Sequence, residues 1–213
     1  MCPTFGVHIS LLLSVWSEKY FFNEKVNYLS LVDELSKTSI NDNNRKELLV
    51  KIFNIINRVK ILAILKEGLF GANRINSIIE ELFREKTISF NKKVFSGMPI
   101  IITKNDYSLE IFNGDMGVII KDKNNIFNAV FNKNETFVII PINFLTSYES
   151  AFSITVHKSQ GSEYDDILIT LPDNKDNPLL TKELLYTGIT RAKESVVIFG
   201  KSDVLKKLCH VES

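Results

Sequence analysis

Two changes of rhythm along the chain constrain its fold more than any other feature. From Met98 to Pro141, short β-rich runs (Pro99 to Thr103, Gly117 to Lys121, Ile126 to Phe131, Thr136 to Pro141) alternate with the turn-forming clusters Asn113-Gly114-Asp115, Asp122 to Asn125 and Asn132 to Asn134. Strands recurring at such short intervals, with turn chemistry between them, predict a small antiparallel barrel or meander. After Tyr148 the pattern becomes a strand (Phe152 to Val156), a polar loop containing a glycine (His157 to Glu163), a second strand (Asp166 to Leu171), a helix (about Thr181 to Ala192) and a third strand (Ser195 to Phe199). Strand, helix and strand in that order predict parallel pairing with a crossover. The expected class is α/β: a parallel sheet with helices, carrying a small β insertion.

Ahead of these regions the periodicity is helical. Leu49, Ile52, Phe53, Ile56, Val59, Leu62 and Ala63 recur at three and four residues and predict an amphipathic helix from about 46 to 66. Gly68 and Gly71 end it, and Ile75, Ile78, Ile79 and Leu82 predict a second helix to about 84. Residues 1–45 carry less signal: Leu11, Leu12, Leu13 and Trp16 suit a short helix, and Ser36 to Asn43 reads as a polar linker. The Asp33-Glu34 pair in Y-L-S-L-V-D-E-L resembles a metal-holding strand end, but Leu31 and Leu35 stand at helical spacing and an amphipathic helix is the better reading.

Composition excludes several classes. With 213 residues, 45% of them apolar, the chain is long enough to bury a core, and it is neither disordered nor a disulfide scaffold. Cys2 and Cys209 have no metal-ligand neighbours, and His8 and His210 offer no zinc spacing with them; the cysteines suggest a reducing compartment. The apolar stretch from Val7 to Trp16 is far short of the ~20 residues that span a bilayer. It has neither a basic lead nor a cleavage site, so a cytoplasmic location and no membrane partner are expected. A net charge of +1 predicts no strongly polarised partner, although a local basic track suffices for phosphate. Lysine and asparagine are in excess while arginine occurs only at positions 45, 58, 74, 84 and 191, so lysine-rich stretches say little and an arginine in a special place says more.

Two segments carry chemistry: T-V-H-K-S-Q-G-S-E-Y-D (Thr155 to Asp165) and L-L-Y-T-G-I-T-R-A-K (Leu184 to Lys193). In the first, a strand end delivers hydroxyls, a histidine, a lysine, an amide and a carboxylate where open α/β sheets bind ligands. Ser159 and Ser162, with backbone N–H groups exposed by Gly161, suit phosphate oxygens, and Lys158 supplies charge. The alternative is a solvated loop capped by Ser162. In the second, Tyr186 with Thr190, and Thr187 with Arg191, share helix faces. Arg191 either complements the helix C-terminal dipole or aims its guanidinium fork at a phosphate, and by itself the first reading is the better one.

Together these segments resemble motifs V and VI of superfamily 1 helicases. G-M-P-I-I-I-T-K-N-D-Y-S-L-E-I-F-N-G-D-M-G (Gly97 to Gly117) and L-K-E-G-L-F-G (Leu65 to Gly71) extend the similarity to the RecD subunits of exodeoxyribonuclease V, over residues 55–200 or so. The resemblance implies that 149–213 is the second RecA-like motor domain, 97–148 an SH3-like insertion and 46–96 a helical region leading into it, with 1–45 unassigned. It implies that Arg191 is the catalytic arginine reaching the ATP γ-phosphate, that Gly161, Glu163, Gln160 and Thr187 lie at the nucleotide, and that Gln160 stands between nucleotide and DNA. Thr155, His157, Lys158 and Ser159 would face single-stranded DNA, as would Asn105 in the insertion, where Asp106, Asn113 and Gly114 also match; Asn113-Gly114 is equally well explained as a turn. The implied cofactor is ATP with Mg, and the implied partners are single-stranded DNA and RecB-like and RecC-like subunits, in a 5′ to 3′ helicase of recombinational repair.

The sequence also departs from the family. It contains no G-x-x-x-x-G-K-[ST] phosphate loop, and no motif IV arginine is identifiable in S-E-K-Y-F-F (Ser17 to Phe22). The expectation is therefore the C-terminal portion of a helicase subunit, not competent for ATP hydrolysis by itself. The alternative is a non-catalytic fragment that keeps its fold and its DNA-backbone or subunit contacts. A Ser-His-Asp hydrolase built on Ser162, His157 and Asp165 is a third and disfavoured reading, since the three lie within nine residues without a G-x-S-x-G elbow.

Overall fold

A computed structural model describes residues 3–23, 25, 28–38, 43–87, 93–133 and 136–209. Cys2, His210, residues 39–42 of the expected linker and Asn134 of the expected turn lie outside the described residues, as does the side chain of Cys209. Among the described residues the helices are α1 (Pro3–Ser17), α2 (Tyr28–Lys37), α3 (Asn43–Arg58), α4 (Ala72–Lys86), α5 (Lys182–Ile189) and α6 (Ser202–Cys209). The strands are β1 (Val59–Ala63), β2 (Met98–Ile102), β3 (Met116–Lys121), β4 (Phe127–Lys133), β5 (Thr136–Pro141), β6 (Tyr148–Ser150), β7 (Ser153–Thr155), β8 (Tyr164–Thr170) and β9 (Ala192–Phe199). The chain divides into two compact units: Met1–Ser14, Asn57–Ile79 and Phe152–Ser213 form the first, and Val15–Ile56 and Glu80–Ala151 the second.

The first unit is built on a parallel sheet of order β7-β1-β8-β9. β8, α5 and β9 form the crossover that the order of elements predicts. The helix expected over 46–66 stops at Arg58, and the next five residues form β1, an inner strand. The run V-K-I-L-A is buried at every position. Val59, Leu62 and Ala63 happen to suit a helical stripe, but periodicity cannot tell a short strand buried on both faces from the end of a buried helix. The exception in the run is Lys60, 2% exposed, whose ammonium lies 5.5 Å from the centre of the Tyr164 ring. Burial brings its pKa down to about 7.

β7 is an end strand of this sheet, and Asn76 of α4 satisfies its outer edge. The Asn76 amide donates to the Ser153 carbonyl at 2.9 Å and accepts from the Ser153 N–H at 2.7 Å, both buried. A side-chain amide here reproduces the donor and acceptor that another strand would offer.

The second unit holds an antiparallel sheet of order β5-β4-β3-β2-β6, a meander from β2 to β5 with β6 added beside β2. Within 1–45, unassigned by sequence, the described residues form α1, most of which belongs to the first unit, then a π-helical turn (Glu18–Phe22), α2 and the start of α3. Asp33 and Glu34 lie on α2, as the helical spacing predicts, with Asp33 paired to Lys37 at 2.6 Å. Phe21, Tyr28 and Phe95 surround Phe83 at ring distances of 5.5, 6.2 and 5.6 Å. The Tyr28 hydroxyl donates to the Gly97 carbonyl at 2.7 Å, and its burial raises the phenol pKa far above the usual range.

Candidate functional site

The polar segment after β7 spans the first unit's sheet from one edge to the other. Thr155 ends β7 opposite Ala63 of β1, which is opposite Thr170 of β8, so Thr155 marks the C-terminal edge of the strands. Tyr164 starts β8 at the other edge, where its N–H donates to the Arg191 carbonyl at 2.8 Å. Tyr164 and Thr170 are six residues apart on β8, which at ~3.3 Å per residue is roughly 20 Å. The eight residues 156–163 cover that return.

At the C-terminal edge the chain turns immediately. His157–Ser159 form a single 3-10 turn, and the Lys158 N–H lies 3.4 Å from the Thr155 hydroxyl, which accepts from it. His157 is exposed and Lys158 half-buried. Ser159 is fully buried and its hydroxyl donates to the Val156 carbonyl at 2.7 Å. That side chain, expected to face a strand, is instead turned into the loop and holds its shape. Gln160 is exposed, and Gly161 follows at φ +85°, a conformation that favours glycine. The loop then closes with the Ser162 N–H donating to the Ser159 carbonyl at 3.0 Å.

The opposite edge is arranged around Arg191. Thr181 caps α5, its hydroxyl accepting from the Leu184 N–H at 3.1 Å. The Thr187 hydroxyl donates to the Glu183 carbonyl at 2.8 Å. Arg191 follows the helix end: Nε donates to the Thr187 carbonyl at 3.2 Å and Nη1 to the Ser162 carbonyl at 3.5 Å. The first bond is what a helix-end arginine makes with an orphan carbonyl. The second ties the end of α5 to the loop. Among the described residues no carboxylate stands within ion-pair distance of this guanidinium, so its charge is held in place but not neutralised. Glu163 is exposed and pairs with Lys193 at 3.4 Å.

Thus Thr155, His157 and Lys158 gather at one edge, and Glu163, Thr187 and Arg191 gather at the other, with Gln160 and Gly161 on the loop between them. Asn105 belongs to the second unit. Its carbonyl accepts from the Asn113 N–H at 2.8 Å and its amide donates to the Tyr107 hydroxyl at 3.3 Å, so it is engaged within its own loop.

Three supporting residues escaped the sequence reading. A Cβ on Gly188 would lie 3.1 Å from Ile169 Cδ1 and 3.4 Å from Val156 Cγ2, so a glycine inside α5 lets that helix approach β8 and the loop's first residue. A helix-interior glycine costs ~1 kcal/mol, which was its available signal. Tyr164 joins the loop to Arg191 through its backbone; burial raises its phenol pKa, while a hydrogen bond with Ser162 and the Arg191 charge pull it back. Asn76 gave no signal in a sequence rich in asparagine.

Residues 150–199 match the family described as the UvrD-like helicase C-terminal domain. The chain is 36% identical over 202 residues to the RecBCD enzyme subunit RecD of Buchnera aphidicola subsp. Schizaphis graminum, an alignment that covers 88% of this chain and 33% of the relative. It is 31% identical over 186 residues to the RecBCD enzyme subunit RecD of Haemophilus influenzae, covering 84% of this chain and 28% of the relative. The chain therefore spans about a third or less of the length of these relatives. Among solved structures it is similar to a Pif1 helicase from Bacteroides in complex with ADP-AlF3 and ssDNA, with a TM-score of 0.42, 16% identity, and coverage of 86% of this chain and 47% of that one.

Proposed function

We propose, from the premise that this chain is a homologue of the C-terminal part of RecD helicase subunits, that it supplies the second motor domain of an ATP-driven DNA helicase. Residues 149–213 are then the RecA-like helicase C-terminal domain and 97–148 its SH3-like insertion. The region 46–96 leads into the motor domain and lends it the inner strand β1. The single observation that carries this reading is Arg191, anchored by Thr187 and Ser162 with no carboxylate to neutralise it.

Anchoring through Nε and Nη1 leaves Nη2 without a protein partner among the described residues, and limits how far the side chain swings. A fixed guanidinium stabilises charge spread over a transferring phosphoryl group, work valued at ~10³ to 10⁵ in rate in other NTPases. Mg-bound ATP would supply that phosphoryl group. The chain fits only one side of such a site, because the sequence holds no phosphate loop and, among the described residues, no cluster of three or more metal-holding side chains occurs. Arg191, Glu163, Thr187, Gly161 and Gln160 would face nucleotide held chiefly by a first motor domain. Thr155, His157 and Lys158 would grip the backbone of single-stranded DNA at the other edge, with Ser159 shaping their turn; Asn105, engaged with Asn113 and Tyr107, would shape a DNA-facing loop of the insertion and not hold the strand itself. The loop 156–163 connects the two edges, so a displacement of Ser162 with Arg191 passes through Gly161 and Gln160 to the DNA-facing turn.

Movement 5′ to 3′, assembly with RecB-like and RecC-like subunits, a role in double-strand-break repair and a cytoplasmic location belong to the same proposal. The missing phosphate loop favours a second reading, a non-catalytic element that keeps DNA or subunit contacts. Mixing the chain with the first motor domain of a RecD relative separates them. Under the motor reading the mixture hydrolyses ATP in response to single-stranded DNA, with a steep salt dependence, and Arg191→Ala abolishes the response. No DNA-stimulated hydrolysis, or hydrolysis indifferent to Arg191, rejects it.

A further inference from the structure

A cleft of about 520 Å³ lies within the second unit, walled by α2, by the turn ahead of β2 and by the Lys121–Phe127 end of the β3–β4 hairpin. Its volume is within the ~300–1,000 Å³ typical of small-molecule sites. Leu29 and Val32 of α2 and Phe127 of β4 make its apolar part, while Lys37, Lys121 and Lys123 stand against Asp33 and Asp122.

These charges do not cancel. Asp33 is taken by Lys37 at 2.6 Å. Asp122 is spent on its own turn, accepting from the N–H groups of Asn124 and Ile126, both at 2.9 Å, and it faces the Arg45 guanidinium on its own account. Among the described residues neither Lys121 nor Lys123 has a carboxylate within ion-pair distance. The Lys121 ammonium instead lies 5.9 Å from the centre of the Phe127 ring.

The walls are set before any ligand arrives. Gly97, at φ +90°, has its N–H bonded to the Ile119 carbonyl at 2.7 Å and its own carbonyl bonded to Tyr28 at 2.7 Å. A Cβ there would meet Tyr28 and Val32 at 3.2 Å, so the turn sits directly on α2. The Lys121 N–H donates to the Ser96 hydroxyl at 3.0 Å, and Ser36 spends its proton on the Val32 carbonyl at 2.8 Å. The Ser96 hydroxyl proton is then directed at Ser36 Oγ, 3.4 Å away, which ties the turn ahead of β2 to α2.

The geometry points to a binding site for a small phosphate ester carrying a flat group, of mononucleotide size, with its phosphate between Lys121 and Lys123 and its flat group against Phe127, Leu29 and Val32. Two ammonium groups suit phosphate oxygens, and a half-buried ring beside two aliphatic side chains suits a base. This site is separate from the motor residues and does not rest on the helicase reading.

The test is titration of fluorescently labelled AMP into the 213-residue chain, read by anisotropy. Saturable binding is expected, with Lys121→Ala/Lys123→Ala weakening it at least ~10-fold, the scale of losing charge-assisted bonds. Asp33→Asn, which releases Lys37 toward the cleft, should tighten it severalfold, a gain that misfolding cannot imitate. The inference is overturned if the double substitution has no effect on a folded chain, if adenosine binds as well as AMP, or if an unphosphorylated oligothymidylate displaces the label as well as AMP does.

Discussion

The two units use polar loop residues in opposite ways. In the antiparallel unit, loop carboxylates are consumed locally: Asp106 accepts from the Ser108 hydroxyl at 2.6 Å and from the N–H groups of Ser108 and Leu109 at 3.0 and 3.2 Å. Those bonds, the Ser108 hydroxyl foremost, hold its pKa below the usual carboxylate value. Asp115 accepts from the Phe112 N–H at 2.8 Å and from the Lys133 ammonium, and Asp122 fastens the next turn. In the parallel unit the loop of 156–163 is shaped by backbone bonds and by the buried Ser159, which leaves His157, Gln160 and Glu163 exposed. Loops of similar composition thus serve shape in one unit and display in the other. What distinguishes them is where each side chain's hydrogen bonds end, which composition does not record.

The sharpest way to break this comparison is to remove one displayed and one consumed side chain. In the mixture with a first motor domain, Arg191→Ala should lower DNA-stimulated ATP hydrolysis by ~10³-fold or more, equivalent to ~4 kcal/mol of barrier. Asn105→Ala, which deletes a side chain already engaged with Asn113 and Tyr107, should leave the hydrolysis rate within about twofold and lower the unfolding midpoint instead. A large loss of hydrolysis from Asn105→Ala would show that bonding inside a loop does not predict its role.

Next in size is Asn76, the consumed side chain of the parallel unit. Asn76→Ala strands a buried N–H and a buried carbonyl of Ser153, at ~1–3 kcal/mol each. A loss of about 2–4 kcal/mol in urea unfolding is expected. A loss under ~0.5 kcal/mol, the scale of an ordinary surface change, would mean that water satisfies the β7 edge and that Asn76 is dispensable.

Much of this architecture was legible in the chain. The meander from β2 to β5 followed from turn clusters such as Asn113-Gly114-Asp115, because local turn chemistry sets hairpin connections. The β8-α5-β9 crossover followed from element order. β1 did not, because its strand character is imposed by neighbours on both sides that lie about a hundred residues downstream, at Ser153 and Leu168. At the site, the residue types of both segments were readable and their grouping at two edges was not: that depends on the loop crossing the sheet, a property of register. Ser159 shows the limit most clearly, since a serine that faces DNA and one that bonds Val156 are identical in sequence.

Lys60 tests the interior of the same unit. With its pKa near 7 when folded and ~10.4 when unfolded, the unfolded chain holds more of this proton between those values. Stability therefore rises with pH across about 7 to 10, by at most ~1.4 kcal/mol per pH unit, and gains nothing from this group below pH 7. Lys60→Met should flatten that rise and stabilise the chain at neutral pH, as measured by thermal unfolding at several pH values. A slope unchanged in the methionine variant would assign it to other groups.

The smallest expected effect on stability gives the cleanest reading of function. Glu163 and Lys193 lie 3.4 Å apart with side chains 63% and 54% exposed, so their attraction is screened by water and holding two mobile chains together offsets part of it. Glu163→Gln should change unfolding free energy by less than ~0.5 kcal/mol. Because the fold then supplies almost nothing to the outcome, any fall in DNA-stimulated hydrolysis in this variant reports the carboxylate's action at the nucleotide. If hydrolysis is also unchanged, Glu163 is a solvated surface charge, and the displayed set at that edge reduces to Arg191.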